Sequence, residues 1–218
     1  MKKLPVLNMF IIPVVLVFII TGCMKKEDAM SPSLAPKAVK NINQTATSIS
    51  KVSLRAKSLK AAGRLIAIGD TLEGGIVFYL DKTGTHGLVA ALSDQSNAIV
   101  WGNAPFLIPN VTSIILGRGL PNTVTITTNQ GPYNYAAYIC DTLTLNGFKN
   151  WYLPSLAELS LMYHNLFMKG LGGFSPNSYY WSSSEYSLYQ AWEIWFQTGK
   201  QNFEFKDWTY GVRAIRTF

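Results

Sequence analysis

A forty-residue interval from Met24 to Gly63, rich in Lys, Ser, Ala and Asn and without sustained periodicity, separates two apolar stretches of the 218-residue chain. Such composition buries too little apolar surface to repay the entropy of ordering, so the interval reads as a linker. One short exception, Ile49 to Leu65, is compatible with a helix. A packed domain is therefore confined to residues 64–218, a length suited to one hydrophobic core. Charge follows the same division. The net charge of +7 comes as +2 from residues 1–23 and +6 from residues 24–63, where eight basic residues face two acidic ones. Residues 64–218 hold nine basic against ten acidic side chains and are nearly neutral. A basic tether can lie on anionic head groups or simply stay solvated. The neutral domain removes the main support for nucleic-acid binding, and no nucleic-acid partner is expected.

The chain begins with Lys2 and Lys3, then an apolar run from Leu4 to Ile20 broken only by Pro5, Asn8 and Pro13. This is the shape of an export signal. An uncleaved anchor is the alternative, but about 20 apolar residues are needed to cross a bilayer, and this run is shorter and carries two prolines. Ile20-Thr21-Gly22-Cys23 resembles the lipobox of bacterial lipoproteins. That resemblance implies a signal peptide over residues 1–22, diacylglycerol and N-acyl lipid on Cys23, a lipidated flexible linker over 23–63 and a membrane as partner. Met24 follows Cys23 where inner-membrane lipoproteins of enterobacteria carry aspartate, which favours the outer membrane. Lys25-Lys26-Glu27-Asp28 resembles the surface-export signals of some Bacteroidetes lipoproteins and points to a surface-exposed domain.

With Cys23 lipidated, Cys140 has no disulfide partner and reads as a buried packing residue. Gly74 to Leu80 and Leu88 to Ala91, joined by Asp81-Lys82-Thr83-Gly84-Thr85-His86-Gly87, predict a β-hairpin. The Gly, Pro and Asn-rich stretch from Trp101 to Thr128 reads as loop. Tyr133 to Leu143 predicts a helix with Tyr135, Ile139 and Leu143 inward. Ser155 and Glu158 form a capping box opening a second helix that runs to about Phe167, with Leu159, Met162, Tyr163 and Leu166 inward. The aromatic C-terminal part predicts antiparallel strands: Tyr179 to Glu185, then Trp192 to Gln197, a turn at Thr198-Gly199-Lys200, Phe203 to Phe205, and Tyr210 to Arg216 as one terminal strand. The fold class is α+β.

Gly74-Gly75-Ile76-Val77-Phe78, Asn150-Trp151-Tyr152-Leu153-Pro154-Ser155 with Glu158-Leu159, Tyr180-Trp181-Ser182-Ser183-Ser184-Glu185 and Val212-Arg213-Ala214-Ile215-Arg216 occur in an order and spacing that resemble the C-terminal domain family of the Legionella collagen-like protein. The resemblance extends over Ile68 to Phe218. It implies a C-type lectin-like mixed fold, with two main helices and paired N- and C-terminal strands, and, as a class only, a binding or adhesive function; the family's best-known member is an adhesin that binds sulfated glycans. The formylglycine-generating enzymes share that fold but depend on cysteines acting together, whereas this domain holds one cysteine, Cys140, with no partner. Neither Glu-Pro-Asn nor Trp-Asn-Asp occurs, so a lectin-type calcium site has no visible ligand set, and calcium stays an open cofactor.

No catalytic template is legible. A phosphate loop, a Gly-x-Ser-x-Gly elbow and a His-Glu-x-x-His motif are all absent, and His86 and His164 lack the neighbours of a zinc site. Glu185 and Glu193 form one nominal carboxylate pair for a hydrolase. The leading expectation is a non-enzymatic carbohydrate-binding or adhesion module with Trp181, Glu185, Trp192, Trp195 and Trp208 as ligand-binding candidates. Against it stand core packing, for Trp151 and Trp181 above all, and an envelope assembly protein that binds another protein.

Overall fold

The computed structural model describes residues 65–218. The export run, Cys23, the linker and all but the last residue of the short helix expected from Ile49 lie outside the described residues.

The first sheet has the order β1-β2-β3-β9: β1 Thr71–Leu72, β2 Gly75–Leu80, β3 Gly87–Ala91 and β9 Ile215–Thr217. Asp81 shapes the hairpin turn by accepting from the Thr83 and Gly84 amides. The run Gly-Ile-Val-Phe lacks alternation because both faces of this sheet are covered. Val77, Val89 and Ala91 pack into one apolar cluster, while Ile76, Phe78, Leu88 and Ala90 pack into another. The terminal strand joins the hairpin through β3, with Leu88 opposite Thr217 and Ala90 opposite Ile215.

The second sheet has the order β4-β8-β5-β6-β7: β4 Ser96–Val100, β5 Tyr179–Glu185, β6 Gln190–Trp195, β7 Lys200–Phe205 and β8 Thr209–Val212. Only the β5–β8 pair is parallel, through Tyr180 and Gly211. The expected single strand from Tyr210 to Arg216 is thus two strands in two sheets. The break is at Arg213-Ala214, because the Arg213 guanidinium turns inward to Asp94 at 2.6 Å and to the Ala91 and Gly172 carbonyls. It also lies 4.1 Å from the centre of the Phe174 ring.

Three α-helices are present among the described residues, not two: α1 Gly119–Gln130, α2 Ala136–Asp141 and α3 Leu156–Asn165. α1 replaces the expected loop. Its buried positions, Gly119, Asn122, Thr123 and Ile126, follow helical spacing but are mostly polar. Thr123 compensates by donating to the Leu153 carbonyl and accepting the Leu153 amide, and Asn122 donates to the Ser113 carbonyl. α2 is shorter than expected. Ala136, Ala137 and Cys140 are buried, and burial, then the Asp141 charge, push the Cys140 thiol up.

α3 opens as expected. Ser155 Oγ accepts the Glu158 amide and Glu158 Oε2 accepts the Ser155 amide. Leu159, Met162, Tyr163 and Leu166 are buried, and a 3-10 turn at Phe167–Lys169 ends the segment. Ser155 Oγ also donates to the Ile115 carbonyl at 2.9 Å, tying the preceding loop to the helix start. Ser155→Ala should therefore cost about 1–2 kcal/mol, read as a lowered midpoint in thermal unfolding. A midpoint equal to wild type would show that the box contributes nothing.

Three indoles, Trp101, Trp151 and Trp181, are fully buried. Each N–H donates to a carbonyl, of Ser182, Phe148 and Ile99 respectively. Buried tryptophans retain this polar demand, and here it locks loops onto the sheets.

Candidate binding face

Strand registry decides which side chains meet. In the second sheet Tyr179 faces Trp195, Trp181 faces Glu193, and across the next pair Glu193 faces Asn202 and Trp195 faces Lys200. Residues directly opposite in an antiparallel pair lie on one side of the sheet. Tyr179, Trp181, Glu193, Trp195, Lys200, Asn202 and Glu204 therefore share a face. Tyr210 of β8 extends it.

The aromatic rings on this face form a row. Trp195 and Tyr179 stack with centroids 5.4 Å apart and planes 10° apart. Tyr179 and Tyr210 stack at 5.0 Å, and Trp208 meets Tyr210 edge-on at 6.4 Å. Trp195, Tyr179 and Tyr210 are half-buried and Trp208 is 49% exposed. Trp181 lies beneath, 4.6 Å from Tyr210.

Glu193 sits beside this row with its side chain fully buried and neither carboxyl oxygen hydrogen-bonded to protein. Burial pushes its pKa up to about 7. Asn202, across the strand pair, favours the ionised form without reaching hydrogen-bonding geometry, Glu204 opposes ionisation, and Lys200 assists it. Burial, followed by the Glu204 and Glu193 charges, also raises the Tyr210 phenol. The face thus offers apolar rings with the Glu204 carboxylate, the Asn202 amide and the Lys200 ammonium around them, and Glu193 buried beneath.

The five sequence candidates separate. Trp195 and Trp208 belong to the row. Trp181 is its buried floor and reaches no solvent, so it packs rather than stacks on a ligand. Trp192 is on the opposite side of β6, edge-on to Tyr186 and Phe203, which stack on each other at 3.7 Å. Glu185 is buried and held by Lys206 Nζ at 2.5 Å. It also accepts the Ile108 amide, while Lys206 donates further to the Phe106 and Leu188 carbonyls. Glu185 is therefore a structural anchor. It is not a free carboxylate that could act with Glu193 in hydrolysis. Ser182, Ser183 and Ser184 are buried strand residues. His86 lies 3.7 Å from Asp81 and His164 is edge-on to Tyr163. Among the described residues no three His, Cys, Asp or Glu side chains converge as metal ligands, and no helix is long and apolar enough to cross a membrane.

Tyr179, Tyr210, Lys200, Asn202 and Glu204 are the members that sequence reasoning missed, Lys200 entering there only as part of a turn. Alternation within β6 and β7 could have indicated Asn202 and Glu204 once the turn at Gly199 fixed the register. Tyr210 could not be found that way, because its neighbour Tyr179 comes from a distant strand.

No protein-family profile matches the chain, and no curated protein does. Among solved structures the chain is similar to a fimbrial protein from Bacteroides ovatus ATCC 8483, at 15% identity and a TM-score of 0.45. The match covers 69% of this chain and 44% of that one, so the chain spans less than half its length.

Proposed function

We propose that this chain is a non-catalytic cell-envelope lipoprotein whose domain binds glycans on the face of Trp195, Tyr179, Tyr210 and Trp208. The observation that carries the reading is the row of stacked rings beside Asn202, Lys200 and Glu204. A pyranose presents an apolar C–H face and a rim of hydroxyls. Rings take the first, and amide, carboxylate and ammonium groups take the second. The family resemblance and the C-type lectin-like fold belong to the same proposal, as do lipid on Cys23 and an outer-membrane, surface-facing location. The lipid rests on the apolar run Leu4 to Ile20 and on Thr21-Gly22-Cys23, and the location on Met24 and Lys25-Lys26-Glu27-Asp28.

The charge of the face narrows the ligand. At the accessible surface one carboxylate, Glu204, balances one lysine, Lys200, and Glu193 is buried. The face therefore has no excess positive charge for sulfate, and neutral or amino sugars fit it better than sulfated glycans. On a glycan array that includes sulfated polysaccharides, with and without calcium, the full chain should bind neutral or amino sugars. Trp195→Ala should weaken that binding at least tenfold, about 1.4 kcal/mol. Silence from both proteins would sink the reading. A second reading, an envelope assembly protein, is favoured by a different observation, the exposed aromatic side chains Tyr186, Phe203 and Phe205 at the free edge of the second sheet.

A further inference from the structure

Strand β7 is the last strand of the second sheet, paired with β6 on one side only. That pairing runs unbroken from Lys200 opposite Trp195 to Phe205 opposite Gln190, with no bulge. Natural sheet edges are usually protected by very short strands, charged side chains (lysine above all), proline, bulges or inward-pointing charge. Of these, β7 carries only two charges of opposite sign, Lys200 and Glu204. β7 is six residues long, regular and free of proline, and Lys200, Gln201, Phe203 and Phe205 are exposed. Its outer row of backbone donors and acceptors pairs with no strand among the described residues, although the Phe205 carbonyl already accepts the Trp208 amide.

The sequence of β7 is self-complementary. When two copies of one strand pair antiparallel about a two-fold axis, the axis stands perpendicular to the sheet and passes beside a single residue. Centred on Asn202, the pairing places Lys200 opposite Glu204 of the other copy, twice, on the same face as Asn202. On the reverse face Gln201 lies opposite Phe203, whose ring already carries the stacked Tyr186. Centring on Phe203 would instead oppose Asn202 to Glu204 and leave Lys200 without an acid. Opposite charges across a strand pair stabilise it and like charges do the reverse.

We propose that β7 is a homodimerisation edge, joining the second sheets of two copies into one ten-stranded sheet with its axis at Asn202. Because the axis is perpendicular to the sheet, the aromatic rows of both copies point to the same side. Two copies then present a bivalent surface, which raises avidity for a repetitive ligand without any new contact.

A single cysteine tests the register, since residues that face each other across antiparallel strands have Cα atoms about 4.5–5.5 Å apart, within disulfide range. In the full chain, Asn202→Cys should form a disulfide-linked dimer on a non-reducing gel under mild oxidation. Wild type, whose Cys140 is buried, serves as the background for Cys23, and Asn177→Cys as an exposed site elsewhere. Adding Glu204→Lys to Asn202→Cys should lower the linked fraction at least fivefold, and adding Lys200→Glu as well should restore it. Unchanged tryptophan fluorescence in each variant shows that the domain is folded. Cross-linking no greater at 202 than at 177, failure of the double reversal to restore it, or stronger linkage through Phe203→Cys would overturn the proposal.

Discussion

Lys206→Met is expected to destabilise the domain by about 3–5 kcal/mol, the cost of leaving a buried charge without its partner. Lys206 and Glu185 are both sealed from solvent. Burial lowers the lysine and raises the glutamate, and each ion opposes that shift in the other, with the Ile108 amide also favouring the carboxylate; the ring of Trp101 lies 5.0 Å from the ammonium. Three protein acceptors surround the ammonium: Glu185 Oε1 and the carbonyls of Phe106 and Leu188. Methionine keeps much of the aliphatic stem and removes all three donated bonds. In urea, followed by tryptophan fluorescence, a loss of this size moves the midpoint by roughly 2 M for a typical m-value. The double variant Lys206→Met/Glu185→Gln should recover about half the loss, because the amide oxygen still accepts the Ile108 amide and no charge is stranded. A midpoint shift of Lys206→Met below about 0.5 M would show that the pair is held no more tightly than a surface ion pair.

The same pair marks the limit of what sequence alone revealed. Glu185 was legible as a polar residue at the end of an aromatic strand, but its partner lies 21 positions away, beyond two turns. Local signals carried further. Ser155 and Glu158 specify their helix start because both hydrogen bonds close within one turn, and Asp81 with Gly84 specifies the hairpin turn for the same reason. α1 stayed hidden because its inward residues Asn122 and Thr123 are polar, and their compensation comes from Ser113 and Leu153, outside the helix. A hydrophobic pattern cannot register a buried face whose apolar character has been replaced by long-range hydrogen bonds. The split of the terminal strand is of the same kind: Val212-Arg213-Ala214-Ile215 reads as continuous until Asp94, on a different element, draws Arg213 inward.

The binding face shows the two effects together. Trp195 and Trp208 stand out by residue type, but type does not distinguish them from Trp181, whose indole is committed to Ile99. Only the pairing of β5 with both β6 and β8 assembles Tyr179 between Trp195 and Tyr210. The row is a property of strand order, which no window of the sequence contains.

Glu193 gives that face a pH dependence of defined sign. Its folded-state pKa of about 7 stands above the ordinary 4.5, with burial the leading cause. Between those two values the folded chain holds a proton that the unfolded chain has released, so stability falls as pH rises through the window and the loss is complete above about pH 7. Below about pH 4.5 both states are protonated and the group contributes no penalty. The shift corresponds to an upper figure of about 3 kcal/mol. Glu185 and Glu158 are raised by burial as well and slope the same way, so the wild-type profile is a composite. Glu193→Gln isolates one member, since the amide resembles the protonated acid and does not titrate. Denaturation curves at about pH 5 and pH 8 should show wild type and Glu193→Gln close together at the lower pH. At the higher pH the variant should be the more stable by about 2–3 kcal/mol. Parallel pH profiles for the two proteins would mean that Glu193 stays ionised in the folded state, stabilised by Asn202 and Lys200 despite its burial.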